Sequence, residues 1–477
     1  MPPSAEQIEE SLAGNLCRCT GYRPIVDAFR AFAKTDDSSY TNSSPENLST
    51  GTFICPSSGQ PCSCGGGTLN SSIDPVNCSS QHRPLSHSET DGSFYGDKEL
   101  IFPPELLLRN NISLSLYGSA GIRWYRPLSL QEVLDLKSCY PEAKLVVGNT
   151  EVGIEMKFKH AQYKVLVSVT HVPELNKLCI KEDGLDIGAS VRLTELAQFL
   201  EKIISERKAH ETSSCKAILG QLRWFAGNQI KNVASVGGNI CTASPISDLN
   251  PLWMASRAMF QMIDCKGNIR TTLAKDFFLG YRKVDLAENE ILLSVFLPWT
   301  RPFEFVKEFK QAHRREDDIA LVNAGMRVFL VQDGERWAVD DVSIVYGGVA
   351  PVSLAALKTE RLITGMNWEK RIIPDALQML KEEISLTDDA PGGMVEFRKS
   401  LVSSFFFKFF LWVTHQMNEK GSLLEGIDMT YQSAIQPYSR PSSCGSQSYE
   451  AVRHGTAVGL PIIHLSSKLQ VCCYFLI

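Results

Sequence analysis

From Lys34 to Lys98 the sequence loses all apolar periodicity, and this break constrains the fold more than any other feature. Ser, Thr, Asn, Gly and Asp dominate the stretch, with Gly65, Gly66 and Gly67 in its middle. That composition reads as a linker or a long mobile loop. The break divides the chain in two. A short first region precedes it, and a large second region follows, in which regular patterning resumes near Leu100. Four cysteines lie in the break: Cys55, Cys62, Cys64 and Cys78. They lack two clear C-x-x-C pairs, and His82 and His87 are the near histidines, so a zinc site has weak support.

The first region, Ser4 to Phe32, reads as two short helices. Ser4 followed by Gln7 fits a capping box, and Gly14-Asn15 fits a helix stop. Pro24 suits the first turn of the second helix, with Ile25, Phe29 and Phe32 on one face. Between them Cys17 and Cys19 flank Arg18. Two thiolates at that spacing can face one iron or a cluster edge; two buried thiols are the other reading.

Beyond the break, β-rich runs alternate with helical patterns. Leu145–Val147, Val165–Val169, Gly184–Val191 and Ile291–Leu297 read as strands. Thr194–Ile204 and Asp248–Met262 read as helices, each opening with a residue suited to an N-cap. From Pro302 to about Asn418 the strands are Met326–Val331 and Val342–Val345. Trp368–Ile384 and Gly393–Val413 read as helices there. The class is α+β.

Composition then removes whole classes of function. Lys plus Arg is 48 against 53 for Asp plus Glu, a net charge of −5, which argues against nucleic-acid or anionic-membrane binding. The most apolar stretch, Phe405 to Val413, is interrupted by Lys408 and is far short of the roughly 20 residues a membrane span needs. Met1 to Glu10 lacks the basic start and apolar run of a secretory signal, and the 14 cysteines, many of them isolated and a minority closely spaced enough to hold metal, then suit a reducing compartment. No P-loop, H-E-x-x-H, G-x-S-x-G or post-strand G-x-G-x-x-G is present.

Two glycine turns remain. Lys144 to Glu151 is a strand-like run ending at Gly148, where the backbone can approach a phosphate and successive N–H groups can form an anion nest. Val233 to Thr242 repeats the idea with Gly237 and Gly238. Plain turns would explain either one. Asp248 can accept from a ribityl or ribose hydroxyl, or cap a following helix. The charged run His313 to Asp318 is a solvated face or, beside a flavin, a set of fixed charges that tunes it.

Together these strings resemble the xanthine dehydrogenase and aldehyde oxidase family of molybdenum–iron–sulfur flavoproteins. The matching residues are Gly14–Ile25, Leu145–Glu151, Ala234–Ile240, Ala243–Pro251, Arg314–Ala320, and Gly347-Gly348 before Ala350-Pro351. They fall in the family's order, and Arg314–Ala320 points to its xanthine dehydrogenase side.

The resemblance implies a two-subdomain FAD-binding domain at 99–300 and a compact α+β flavoprotein domain at 301–420. A helical remnant of a 2Fe–2S domain would occupy 1–35, a linker 36–98, and the start of a molybdenum domain 421–477. It implies FAD contacts from Lys144, Leu145, Val146, Val147, Gly148, Asn149, Thr150 and Glu151, with Val152 closing that loop. Ser235, Val236, Gly237, Gly238 and Asn239 would wrap the cofactor from the other side. Phe225 would pack against it, Thr242 and Asp248 would touch it, and Leu292 and Lys310 would line the far side. Asp317 would influence the approach of NAD. Cys17 and Cys19 would be two of the four ligands a 2Fe–2S cluster needs.

The implied activity carries electrons from iron–sulfur centres through FAD to NAD during oxidation of hypoxanthine and xanthine to urate. An aldehyde oxidase-like segment, or a non-catalytic flavin-binding segment that pairs with a full-length subunit, are the alternatives. The family's first cluster domain, the C-x-x-C pair and the molybdopterin site have no counterpart here. The expectation is therefore a piece of a longer enzyme, or an incompletely read gene, unable to turn over xanthine by itself. A homodimer in the cytoplasm is expected, with the peroxisome as the other compartment.

Overall fold

Among the described residues three larger sheets and a two-stranded ribbon carry the fold, and the pattern of burial along the strands accompanies how they pair. The structure is a computed structural model that describes residues 5–12, 25, 29, 111–314, 317–420 and 429–435. Cys17, Cys19, the 34–98 stretch with its cysteines, and 436–477 lie outside the described residues. Within the first region α1 spans Ala5–Leu12 with Ile8 buried, and Ile25 and Phe29 are helical.

The first sheet has the order β1-β2-β4-β3 and is mixed. β1 (Leu114–Tyr117) and β2 (Arg123–Arg126) pair antiparallel, and α2 follows at Leu130–Cys139. Ser129 caps α2, its hydroxyl accepting from Glu132 N at 3.3 Å while Glu132 reaches back to Leu128 N at 3.0 Å. β3 (Lys144–Val146) and β4 (Val165–Ser168) are parallel, which requires a crossover. α3 (Val152–Phe158) supplies it. All four residues of β4 are buried, as in a strand covered on both faces.

The second sheet is antiparallel, order β5-β6-β11-β7-β8. Its strands are β5 (Leu178–Ile180), β6 (Gly184–Gly188), β7 (Met259–Asp264), β8 (Ile269–Leu273) and β11 (Glu290–Pro298). Helices α4 (Leu193–Glu206), α5 (Ser213–Arg223), α6 (Asn228–Lys231), α7 (Val236–Thr242) and α8 (Asn250–Ala255) fall between β6 and β7. The short α9 (Ala274–Phe277) leads into the ribbon β9 (Phe278–Gly280) and β10 (Lys283–Val284).

The third sheet, order β12-β13-β14-β15, runs antiparallel through Glu304–Ala312, Ala320–Asp333, Arg336–Gly347 and Leu354–Ala355. Helices α10 (Leu357–Ile363), α11 (Ile372–Glu383) and α12 (Val395–Glu419) complete it. Phe405, Phe406, Phe409 and Phe410 on α12 are buried against the sheet's core. Among the described residues no helix is long and apolar enough to cross a membrane.

Most expected elements are present, with four differences. The segment 248–262 is not one helix: α8 stops at Ala255, Arg257 takes a left-handed turn at φ 57°, and β7 begins at Met259. Every residue from Asn250 to Ala255 is buried, so the run has no polar face to betray its period. Neither expected N-cap acts as one. α4 is capped at Arg192, whose backbone N–H donates to Glu195 at 3.1 Å, and α8 at Leu249. β6 ends at Gly188 rather than Val191, because Val191 N turns back to Gly188 O at 3.1 Å. Val152 does not close a loop but opens α3, its side chain buried with Val146 and Leu166.

Candidate functional site

A cleft of about 710 Å³ lies where the two glycine turns meet, within the range of small-molecule sites. One wall is the run Lys144–Val152 at the end of β3. The opposite wall is Ala234, Ser235, Gly238, Asn239, Cys241 and Thr242, with Phe225, Ser244 and Ile246 to Asp248 closing the floor. Arg282, Arg314 and Asp317 to Ala320 complete the rim.

The two turns differ in what they offer a ligand. In the second, the donors are consumed within the protein. Val236 N donates to Val191 O at 3.0 Å, Gly237 N to Ala189 O at 2.7 Å, and Gly238 N to Ser235 Oγ at 3.1 Å. In the first, the N–H groups of Gly148, Asn149, Thr150 and Glu151 have no acceptor among the described residues. Asn149 there is left-handed, φ 57°. Successive outward N–H groups around such a residue are the geometry of an anion nest. Among the described residues the first turn thus keeps unpaired backbone donors, whereas those of the second are engaged.

The glycines also serve a purpose other than phosphate approach. A side chain on Gly148 would collide with the Val233 carbonyl, so its absence lets the two turns touch. On Gly237 it would meet Ala189 at 2.8 Å. Gly347 makes room for Asn323, and Gly348, at φ 83°, donates to Pro245 O at 2.8 Å, holding the Ser244–Asp248 loop.

Asp248 is buried and caps no helix. Its Oδ2 pairs with Lys310 Nζ at 2.6 Å and its Oδ1 accepts from Asn323 Nδ2 at 3.2 Å. Burial pushes its carboxyl up from the ordinary value, against the pull of Lys310 and Asn323. At the rim Glu151 pairs with Arg282 at 2.6 Å, and Glu155 takes Tyr163 OH at 2.7 Å. Burial and then Glu155 push the Tyr163 hydroxyl up to about 12. Burial likewise lifts the Cys241 thiol to about 12, so it faces the cleft neutral. The charged rim folds on itself: Arg314 N donates to Asp318 at 2.7 Å and its guanidinium to Asp317 O at 2.7 Å.

Of the expected residues, Lys144 to Val152, Phe225, Ser235, Gly238, Asn239, Thr242, Asp248 and Asp317 line the cleft. Val236, Gly237, Leu292 and Lys310 do not. Val236 and Leu292 are core side chains, Gly237 faces Ala189, and Lys310 lies behind Asp248. Sequence reasoning missed Glu155, Arg282, Cys241 and the Ser244–Ser247 backbone. Glu155 was findable, one helical turn from Glu151; Arg282, 131 residues from its partner, carried no local signal.

Residues 120–300 match the FAD binding domain in molybdopterin dehydrogenase, 307–413 the CO dehydrogenase flavoprotein C-terminal domain, and 1–30 the 2Fe–2S binding domain. Xanthine dehydrogenase of Oryza sativa subsp. japonica is 64% identical over 98% of this chain, and xanthine dehydrogenase 1 of Arabidopsis thaliana 60% over 98%. The xanthine dehydrogenase/oxidase of Gallus gallus is 41% identical. The chain spans about a third of these relatives' length, 34% of the first two and 35% of the last. Among solved structures, carbon monoxide dehydrogenase from Hydrogenophaga pseudoflava is similar at TM-score 0.52 and 22% identity, covering 61% of this chain and 95% of that one. Quinoline 2-oxidoreductase from Pseudomonas putida 86 gives 0.51 and 22%, covering 60% and 94%. At that identity the likeness is one of fold.

Proposed function

We propose, from the premise that this chain belongs to the xanthine dehydrogenase family of molybdenum–iron–sulfur flavoproteins, that the cleft is its FAD site. The observation that carries this is the run of N–H groups from Gly148 to Glu151, without an acceptor among the described residues, on the wall of a cleft of about 710 Å³. A diphosphate is the ligand chemistry such donors suit. Phe225 offers an aromatic face, and Thr242 and Asn239 at the end of the second turn offer a hydroxyl oxygen and an amide group, while the backbone N–H groups of Val236, Gly237 and Gly238 stay within the protein.

What bound FAD supplies is two-electron redox exchange, in this reading between iron–sulfur centres and NAD. The chain's own residues bind and orient. Asp317 and the Arg314–Asp318 loop form the rim by which NAD approaches. Cys17 and Cys19 are two of the cluster ligands. The oxidation of hypoxanthine and xanthine to urate at molybdopterin belongs to the whole protein, as do the homodimer and a cytoplasmic or peroxisomal setting. The domain division at 99–300 and 301–420 is part of the same reading.

Purified protein is expected to show flavin absorbance, to take up one FAD per chain, and to oxidise NADH with an artificial electron acceptor. A colourless protein that takes up no FAD on titration sinks the FAD assignment. FAD uptake without NADH oxidation favours a passive flavin-binding segment.

A further inference from the structure

Arg398, the fourth residue of α12, is 6% exposed, yet no carboxylate among the described residues pairs with it. A buried guanidinium without an anion is costly, and the dipole at the start of a helix disfavours a cation there. Its donors go to backbone carbonyls instead. Nη1 donates to Gly348 O at 2.9 Å and Nη2 to Ala390 O at 3.4 Å, while Nε has no partner among the described residues. An apolar side chain would serve packing alone, so the feature that needs an arginine here is the carbonyl it holds.

Gly348 joins three parts of the molecule. Its N–H donates to Pro245 O at 2.8 Å. Its backbone is left-handed, φ 83°, and comes so near the Leu321 carbonyl that a side chain on Gly348 would collide with it. Pro245 stands between Ser244 and Ile246, and Leu321 follows Ile319 and Ala320; those four neighbours line the cleft. One residue therefore meets both loops that close this side of the site. A glycine has wide conformational freedom, and its two soft dihedrals set where its N–H and its C=O point. A clamp on the carbonyl of Gly348 therefore restrains its N–H as well. Asn323 grips the first loop a second time, its Nδ2 donating to Ser247 O at 3.0 Å.

We propose that Arg398 is a positioning residue: by clamping Gly348 O it holds the Ser244–Asp248 and Asp317–Leu321 loops where the cofactor meets them. Its effect on a cofactor rests on the assignment of the cleft to FAD. The helix that packs on the third sheet thereby reaches the cleft through a glycine.

The full chain carrying Arg398→Gln, Arg398→Lys or Phe406→Leu tests it. Phe406 is a fully buried side chain of the same helix, and shortening it is the control for lost stability. FAD affinity is read by fluorescence titration, and the visible circular dichroism of the bound flavin is recorded. Amide hydrogen exchange over residues 244–248 and 317–321 is measured without FAD. Arg398→Gln is expected to weaken FAD by about tenfold, the scale of one hydrogen bond to a charged group. It should also change the dichroism and speed exchange in both loops. Arg398→Lys keeps a charged donor but not the planar fork, and should fall between Arg398→Gln and wild type in all three. Phe406→Leu should lower the melting midpoint and leave the three readouts as in wild type. If Arg398→Gln and Phe406→Leu change affinity, dichroism and exchange alike, stability alone is at work and the positioning role is overturned. Wild-type exchange in both loops of Arg398→Gln overturns it too. Should the wild type bind no FAD, the assignment of the cleft falls, and exchange still decides whether Arg398 holds the loops. If Arg398→Gln does not fold, Arg398→Lys is set against wild type and Phe406→Leu and judged by the same outcomes.

Discussion

At the scale of single residues, Gly148 and Gly238 look alike in sequence and differ in the structure. A methyl on Gly148 points into the Val233 carbonyl, which belongs to backbone and cannot step aside cheaply. Gly148→Ala is expected to destabilise the flavin-free protein by about 1–3 kcal/mol, the usual cost of overpacking. A methyl on Gly238 meets only the Ser235 hydroxyl, at 2.9 Å; moving that cap off Gly238 N costs about 1 kcal/mol, which the higher helix propensity of alanine over glycine offsets. Gly238→Ala should leave the flavin-free melting midpoint nearly unchanged while weakening FAD, since Gly238 lines the cleft. Melting curves and FAD titrations of the two variants check this; equal loss of stability in both would refute the distinction. Sequence reading assigned both glycines to phosphate approach. It could not separate the two causes, because close contact with a phosphate and close contact with a carbonyl both exclude a side chain.

Between elements, the strongest electrostatic tie is Glu304 at the start of β12. Its side chain is 0% exposed and meets Arg327 at 3.0 Å, Arg301 at 2.9 Å and Arg257 at 3.1 Å. Arg327 also donates to Ala255 O at 2.7 Å, joining the end of α8 to β13. Burial by itself would push the Glu304 carboxyl up, but the hydrogen bonds from Arg301 and the charges of Arg327 and Arg257 outweigh it and hold it below its ordinary value. A carboxyl with a depressed value stabilises the fold above the ordinary carboxylate range, and that contribution is lost as pH falls through the folded value. Glu304→Gln removes the buried anion of the cluster and leaves only the half-exposed Asp341 to pair Arg327 and Arg301, at a cost of about 3–5 kcal/mol. Denaturant unfolding should show the full gap between variant and wild type near neutral pH, narrowing below about pH 4.3 as the wild-type carboxyl is protonated. A gap independent of pH would mean that packing, not charge, sets the loss. This tie was invisible in the sequence, because Arg327 and Arg257 lie 23 and 47 residues from Glu304 and no local spacing marks them as its partners.

Over the whole molecule, the boundary near residue 300 divides the sequence more cleanly than it divides the core. Val306 and Val345 of the third sheet are buried with Leu185 and Val295 of the second and Trp253 of α8. Residues 109–300 expressed alone would expose that surface and lose Lys310 and Asn323 from behind Asp248. They are expected to show no cooperative melt and no FAD uptake; a sharp transition with bound flavin would refute the shared core. In the full chain, FAD at a hundredfold its Kd should add roughly 2.7 kcal/mol, read as one shifted transition in calorimetry. Two transitions, only one of them shifted, would show the sheets to be independent. What the sequence by itself determined was local: the α+β class, the strand that leads into the Gly148 turn, the second glycine turn and the Asp248 string, all carried by residue type and short-range spacing. The tertiary structure alone decided that, among the described residues, the first turn and not the second keeps unpaired backbone donors, and that Lys310 pairs with Asp248 and the Trp224 carbonyl. The partners responsible lie 62 and 86 residues away along the chain, and no periodicity records which distant carbonyl or carboxylate will claim a donor.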